Sequence, residues 1–371
     1  MQSVRRGPSS LRSILPMTVA ASLAALPAAA ACEPVAMSAT PVPIEGRIEA
    51  IEATSSSAFG GGGAYLFIGP GTSPLAAEPC DGEWCIEPVA IEPPLAPPAE
   101  TDGFAPLADG GVAASTGDIR RAWYFEPTER YAHAILGDAV EAGGLAVSVG
   151  AGQTLVTTRL AETDVFEDLT PRIADLDGDG RNEVVTIVSG STSGGSVAVF
   201  ALLSGLQGAG EPGGQFDATQ QLALIARTPA IGTPNRWLNI AAIEDFDGDG
   251  ILDVVLVETP HIGGELQLWS GASLLAGDPV LVAAADGFSN HAIGSRALDL
   301  SEVVTLDGRA MIIVPSARRD ALRLMAFEGG RWTECGAVSL PGRVGADIAS
   351  IGADLAVGLE DGTLMRVRFA P

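Results

Sequence analysis

The sequence predicts an all-β fold, a β-propeller of about four-stranded blades, on three observations. A unit made of a turn, an apolar strand and an alternating strand recurs along the chain. Aromatic residues are only 5% of the sequence, whereas glycine and proline number 46 and 25, a composition of short strands and tight turns. A loop of the form Asp-x-Asp-Gly-Asp-Gly occurs twice, each time a few residues ahead of a Val-Val strand. At 371 residues and 47% apolar content, the chain can bury one large β architecture or two ordinary domains.

Residues 1–31 read as a secretory leader. Arg5, Arg6 and Arg12 form its positive end, Ile14 to Leu26 its apolar stretch, and Ala28 to Ala31 a small-residue cleavage region. The apolar stretch is too short to span a bilayer, and no later stretch suggests a span. The expected location is therefore periplasmic or extracellular. Ala29-Ala30-Ala31-Cys32 lacks the usual lipobox leucine, which makes lipid anchoring at Cys32 the lesser variant of export. An oxidising compartment would pair cysteines. Cys80 and Cys85 stand close enough to close a small loop and are the disulfide candidate; Cys32 with Cys335 is also open, since connectivity is not readable from sequence. All 21 basic residues are arginine, and the net charge is −25, which disfavours nucleic acid and anionic membranes as partners.

Residues 32–114 are rich in proline and glycine. They read as an irregular linker or a cryptic N-terminal blade region, with strand-like stretches at 47–53 and 64–68. Residues 115–371 carry the repeat. Its alternating strands close on Leu160, Phe200, Trp269, Phe327 and Phe369, which marks five units and leaves six or seven open. Turn-rich insertions such as 205–215 fill the wider gaps. An alternating strand beside a near-continuous apolar strand suits a blade packed between two neighbours, and such small sheets must stack on one another to be stable. A β-sandwich is the runner-up. Because the last unit ends at its third strand, ring closure calls for a strand from upstream, and residues 120–128 are the expected donor.

The two acidic loops carry the clearest chemistry. Positions one, three, five and nine are Asp175, Asp177, Asp179 and Glu183 in the first, and Asp245, Asp247, Asp249 and Asp253 in the second. Clustered carboxylates repel unless a cation sits among them, and a flexible oxygen-rich loop suits calcium. The carbonyls of Arg181 and Ile251, at position seven, add one oxygen each. An EF-hand needs a bidentate Glu at position twelve, where Thr186 and Leu256 stand instead, and β-branched sequence follows, so these loops join strands. Aligning Asp245 with Asp299 and Asp253 with Asp307 suggests a degenerate third copy, with Ser301 and Val303 replacing ligands. Two calcium ions are the expectation.

These residues resemble the FG-GAP/VCBS repeat family, the integrin alpha-like propellers, and in particular a secreted bacterial subgroup. The loops DLDGDGRNE and DFDGDGILD with their Val-Val strands carry the resemblance, over roughly 120–371. It implies a propeller with calcium between the first and second strands of a blade, where the ion braces the fold.

If the loops mark one face, the residues ahead of the inner strands mark the other. Arg130, Arg172, Arg236 and Arg343 recur there, with Trp237 as a stacking platform and His291 beside them. An Arg-rimmed mouth would suit an unknown anionic glycan or a protein ligand. The chain then reads as a monomeric binding, adhesion or scaffold module with no assigned catalytic residue. The alternative is a lyase or hydrolase of acidic glycans that uses this mouth. His133 and His291 each open an Ala-Ile stretch expected to be a strand, and no nucleophile elbow, HExxH or phosphate loop is present.

Overall fold

The computed structural model describes residues 32–54, 62–69, 72–150, 154–207 and 217–370. The expected leader and most of the 205–215 insertion lie outside them. Antiparallel pairing among the described residues builds six blades around a central channel.

The first strand, β1 (Ala36–Val42), belongs to the last blade and is described with it. Blade 1 is β2 (Ala50–Ala53), β3 (Ala64–Phe67), β4 (Leu75–Cys80) and β5 (Glu83–Pro88), paired in chain order. A two-residue turn, Asp81-Gly82 with both φ positive, joins the last two strands and suits a tight hairpin. Cys80 and Cys85 are joined by a disulfide across that hairpin. Blade 2 is β6 (Ala113–Ala114), β7 (Ile119–Thr128), β8 (Glu141–Val149) and β9 (Thr154–Arg159).

Blade 3 has an interrupted inner strand, β10 (Asp164–Phe166) and β11 (Arg172–Ala174). It continues with β12 (Glu183–Gly190), β13 (Gly194–Gln207) and β14 (Asp217–Arg227). β10 pairs with both β8 and β12, so blades 2 and 3 share one nine-stranded sheet. Blade 4 is β15 (Leu238–Glu244), β16 (Asp253–Glu258), β17 (Gly264–Trp269) and β18 (Leu281–Phe288), with the short helix α1 (Gly271–Leu275) before its last strand. Blade 5 is β19 (Glu302–Leu306), β20 (Arg309–Pro315), β21 (Ala321–Glu328) and β22 (Arg331–Ser339).

Blade 6 contains β23 (Val344–Ile351), β24 (Asp354–Leu359) and β25 (Leu364–Ala370), and β1 completes it by pairing with β25 from Ala36↔Ala370 to Val42↔Leu364. This corrects the expected closure. Residues 120–128 lie within β7, whose buried Ala122, Trp123, Tyr124 and Phe125 are committed to blade 2, so they have no free edge to donate. β1 has the alternating exposure of an outer strand and reaches the open edge of β25. A second bond secures it: Cys32 is joined to Cys335 of β22, linking the start of the ring to blade 5.

The middle strands β8, β12 and β16 are almost wholly buried on both faces, because each blade packs between two neighbours. The core is accordingly a series of inter-blade layers. One holds Val185, Ile187, Val199, Trp237, Ile240 and Leu256 between blades 3 and 4; another holds Leu300, Ile313, Leu324, Val344 and Val357 between blades 5 and 6.

The degenerate third loop is not a loop. Glu302 to Leu306 form β19, and Asp307-Gly308, both at positive φ, make a two-residue hairpin turn into β20. An Asp-Gly pair between β-branched runs closes a hairpin directly and leaves no room for a ligand-bearing loop.

Candidate functional site

The two acidic loops follow β11 and β15 on one face of the ring. In each, glycines at positions four and six take positive φ: Gly178 at 71° and Gly180 at 86°, Gly248 at 79° and Gly250 at 88°. Left-handed backbone is cheap for glycine and turns the loop's amides inward. Gly180 N–H donates to Asp175 Oδ2 at 2.9 Å, and Gly250 N–H to Asp245 Oδ2 at 3.1 Å. Arg181 and Ile251 amides donate to Asp179 and Asp249, each at 2.8 Å.

Carboxylate oxygens of Asp175, Asp177 and Asp179 converge within 4.8 Å of one another, as do those of Asp245, Asp247 and Asp253. Asp175 Oδ1 is buried without a hydrogen-bond partner. Position nine closes each loop from beneath. Glu183 accepts the Leu176 amide at 3.1 Å; Asp253 accepts the amides of Phe246 and Gly271 at 3.3 and 3.1 Å. Burial, with the neighbouring aspartates adding to it, raises Glu183 to about 7 and Asp253 to about 6. Convergent oxygens, an orphaned buried acceptor and raised acids form a donor set that fits a hard cation with oxygen ligands.

The loops also touch each other. Leu252 N–H, in the second loop, donates to the carbonyl of Leu176, in the first, at 2.8 Å. On the other side, the Asn182 amide donates to Asp118 of blade 2 at 2.8 Å, and its side chain reaches Ser115 and Ile119. Blades 2, 3 and 4 are therefore stitched together through these two loops.

The channel opens on this same face. Its cavity, about 940 Å³, draws lining residues from all six blades. Glu52, Asp109, Glu244, Asp299, Glu302 and Asp347 line it, against Arg172 and Arg296. Both arginines are already engaged, Arg172 with Asp168, and Arg296 with Asp109 and Asp138. The lining therefore carries an excess of negative charge. Burial, then Asp299, raises Asp347 to about 7, and burial also raises Glu52 and Glu302.

The opposite end of the channel is closed. Residues 131–140 of blade 2 and 289–296 leading into blade 5 are irregular and meet over the axis, since these blades stand opposite each other in a ring of six. Neither His133 nor His291 opens a strand. Ala134, Gly137 and Gly294 take positive φ and turn both segments away from extended geometry. Tyr131 Oη accepts the Asn235 amide at 3.0 Å, and His133 Nδ1 lies 2.6 Å from Glu167 Oε1. His261 Nε2 and His291 Nδ1 are 2.8 Å apart, and His291 Nε2 donates to the Ser295 carbonyl at 3.0 Å.

The Arg-rimmed mouth is not assembled. Arg130 is held by the Asp164 carbonyl at 2.9 Å and lies near Glu126 and Glu162. Arg172 alone of the proposed set lines the cavity, on its acidic side. Arg236 and Arg343 are exposed, and Arg236 donates to its neighbour Asn235. Trp237 is 2% exposed: its indole N–H donates to the Glu167 carbonyl at 2.9 Å and its ring stacks on His261, so it cannot serve as an open platform. His291 is 1% exposed. Tryptophan ahead of an inner strand faces the neighbouring blade, where burying its large apolar ring stabilises the interface.

Sequence reasoning also missed a buried polar network between blades 2 and 3. Glu167 takes His133 and Ser189, and Asp168 takes Tyr124 and Arg172. Glu141, 2% exposed with Oε1 unpartnered, is raised to about 9 by burial and then by Glu167, Asp138 and Asp168. The available signal was Phe-Glu-Asp-Leu at 166–169, two acids set inside an apolar run.

A six-bladed β-propeller with two acidic loops on its open face is the class that this pairing defines. No family model and no curated protein sequence matches the chain. Among solved structures, it is similar to BamB from Moraxella catarrhalis at 11% identity and a TM-score of 0.35, over 90% of this chain and 96% of that one. It is also similar to the WD40 domain of Toxoplasma gondii coronin at 10% identity and a TM-score of 0.40, over 91% of this chain and 88% of that one. The fold assignment rests on the strand pairing itself. No helix among the described residues is long and apolar enough to cross a membrane.

Proposed function

We propose that the chain is an exported propeller braced by two calcium ions and acting as a binding or scaffold module of the FG-GAP/VCBS type. The observation that carries this reading is the pair of converged carboxylate loops joined by the Leu252–Leu176 hydrogen bond. Asp175, Asp177, Asp179 and Glu183, with the Arg181 carbonyl, would hold one ion. Asp245, Asp247, Asp249 and Asp253, with the Ile251 carbonyl, would hold the other. Each ion would neutralise a cluster that otherwise repels itself and would tie neighbouring blades together, a structural role rather than a chemical one.

The ligand seat moves from the closed face to the open cavity on the calcium-loop side. Its acidic lining suits a cationic group of a protein ligand better than an anionic glycan. The alternative of acidic-glycan chemistry gains no support, because His133 and His291 are held in internal hydrogen bonds and the arginines do not converge. The deciding experiment is thermal melting in EDTA and then with calcium restored. A drop of several degrees, reversed by calcium but not by magnesium, is expected; equal melting temperatures in all three conditions would refute the metal reading.

A further inference from the structure

Both reactive ends of Cys32 are occupied. Its Sγ is bonded to Cys335 of β22. Its backbone nitrogen lies 3.1 Å from Glu328 Oε2, a carboxylate at the end of β21 that is 6% exposed and is also paired with Arg309. Three residues on, the Val35 amide donates to the Cys335 carbonyl at 2.7 Å, and β1 then runs along β25. Glu328 thus has one oxygen on the Arg309 guanidinium and the other on the Cys32 nitrogen, and an α-ammonium at that nitrogen would make the second contact charge-assisted as well. Immediately before it stands Ala29-Ala30-Ala31, the small-residue pattern of a leader cleavage site.

We propose that the mature chain begins at Cys32, and that the α-ammonium freed there is held by Glu328 as part of the latch that closes the propeller. The proposal rests on the export reading above. An export-pathway endopeptidase would add water across the Ala31–Cys32 peptide bond: the leader departs with the new carboxylate, and the Cys32 nitrogen takes up protons as the ammonium. With its sulfur committed to Cys335, Cys32 has no thiol to receive a lipid through a thioether. Processing and ring closure thus converge on one residue, which bridges the start of the chain to blade 5 beside the strand that completes blade 6. The other charged groups lining the adjoining hollow are Glu33, Asp307, Arg309 and Asp354.

The test begins with the full chain exported to a bacterial periplasm. N-terminal sequencing and intact mass without reductant should give a start at Cys32, a free amine, no acyl group and both disulfides. Melting is then compared with a variant carrying two serines inserted between Ala31 and Cys32, which keeps the disulfide and the Arg309–Glu328 pair but moves the charge. An α-amine paired with a carboxylate has its pKa raised above the ordinary ~7.7–8, so its contribution is full below that range and lost as pH rises through the raised value. The authentic protein should melt a few degrees above the serine variant near pH 6.5 and level with it near pH 10. In a Glu328→Gln background the two should melt together at both pH values. An uncleaved chain would overturn the export reading and this inference together. A start at another residue, an acylated Cys32, or equal melting at pH 6.5 would overturn this inference alone.

Discussion

The backbone amide of Gly294 donates a 2.8 Å hydrogen bond to the carbonyl of Ile135, joining segments of blades that stand on opposite sides of the ring. With the Arg296 pairs to Asp109 and Asp138, this bond closes one end of the channel and leaves the other, beside the acidic loops, as its mouth. The closure makes the propeller one-sided.

Arg296 is half-exposed, so its pairs should contribute little to global stability, at most about 1 kcal/mol. Their effect is local. Arg296→Ala should leave the melting temperature within a degree or two while speeding hydrogen exchange of the Gly294 amide and of segment 131–138. Unchanged exchange in both segments would show that the closure does not depend on this side chain.

Asp177→Asn should remove one calcium equivalent from the protein and leave the other. At a typical extracellular affinity of ~10⁻⁴ M and ~1 mM calcium, each site contributes about 1.4 kcal/mol. Calorimetric titration should give two equivalents for the unaltered chain and one for the variant. Asp299→Asn, in the channel lining and outside both loops, should keep two; a loss there would place one of the ions in the channel instead of a loop.

Glu141 sets a pH dependence whose sign is fixed. Its folded pKa, about 9, lies above the ordinary 4.5, so the folded protein retains a proton that the unfolded chain releases. That contribution is full below about pH 4.5 and is lost as pH rises through 9. Glu141→Gln mimics the protonated acid and should match the unaltered protein near pH 5 but exceed it by a few kcal/mol near pH 9.5. Parallel denaturation midpoints across that range would rule out a buried neutral carboxyl at this position.

Trp237→Phe keeps most of the buried ring but strands the Glu167 carbonyl and loosens the stack on His261. The expected cost is about 1–3 kcal/mol in urea denaturation, with binding of any basic peptide at the channel mouth unaffected. A neutral substitution that abolished such binding would return Trp237 to the role of ligand platform.

The acidic loops were legible because their chemistry is local: Asp175 to Glu183 and Asp245 to Asp253 fold on themselves through neighbouring amides and glycines. The strands that follow were legible for the same reason, since Val-Val-Thr-Ile-Val fits no better structure than a buried strand. Asp299 to Asp307 misled because a gap-free alignment ignores that Asp-Gly alone can turn a hairpin. The arginines misled for a different reason. The repeat pattern carries no information on each side chain's partner, which packing sets: the carbonyl of Asp164 in the neighbouring blade holds Arg130, and Asp168 of the same blade holds Arg172.

Alternation, turn chemistry and ligand spacing act within a dozen residues, and they suffice to specify an all-β chain of stacked units with two oxygen-rich loops. Long-range pairing sets the rest: β1 closes the ring, blade 1 forms from residues 50–88, and the face expected to be open is shut. Those outcomes depend on pairs such as Ala36 with Ala370 and Ile135 with Gly294. Chain entropy separates such partners until the whole ring has formed, so no local pattern can announce them.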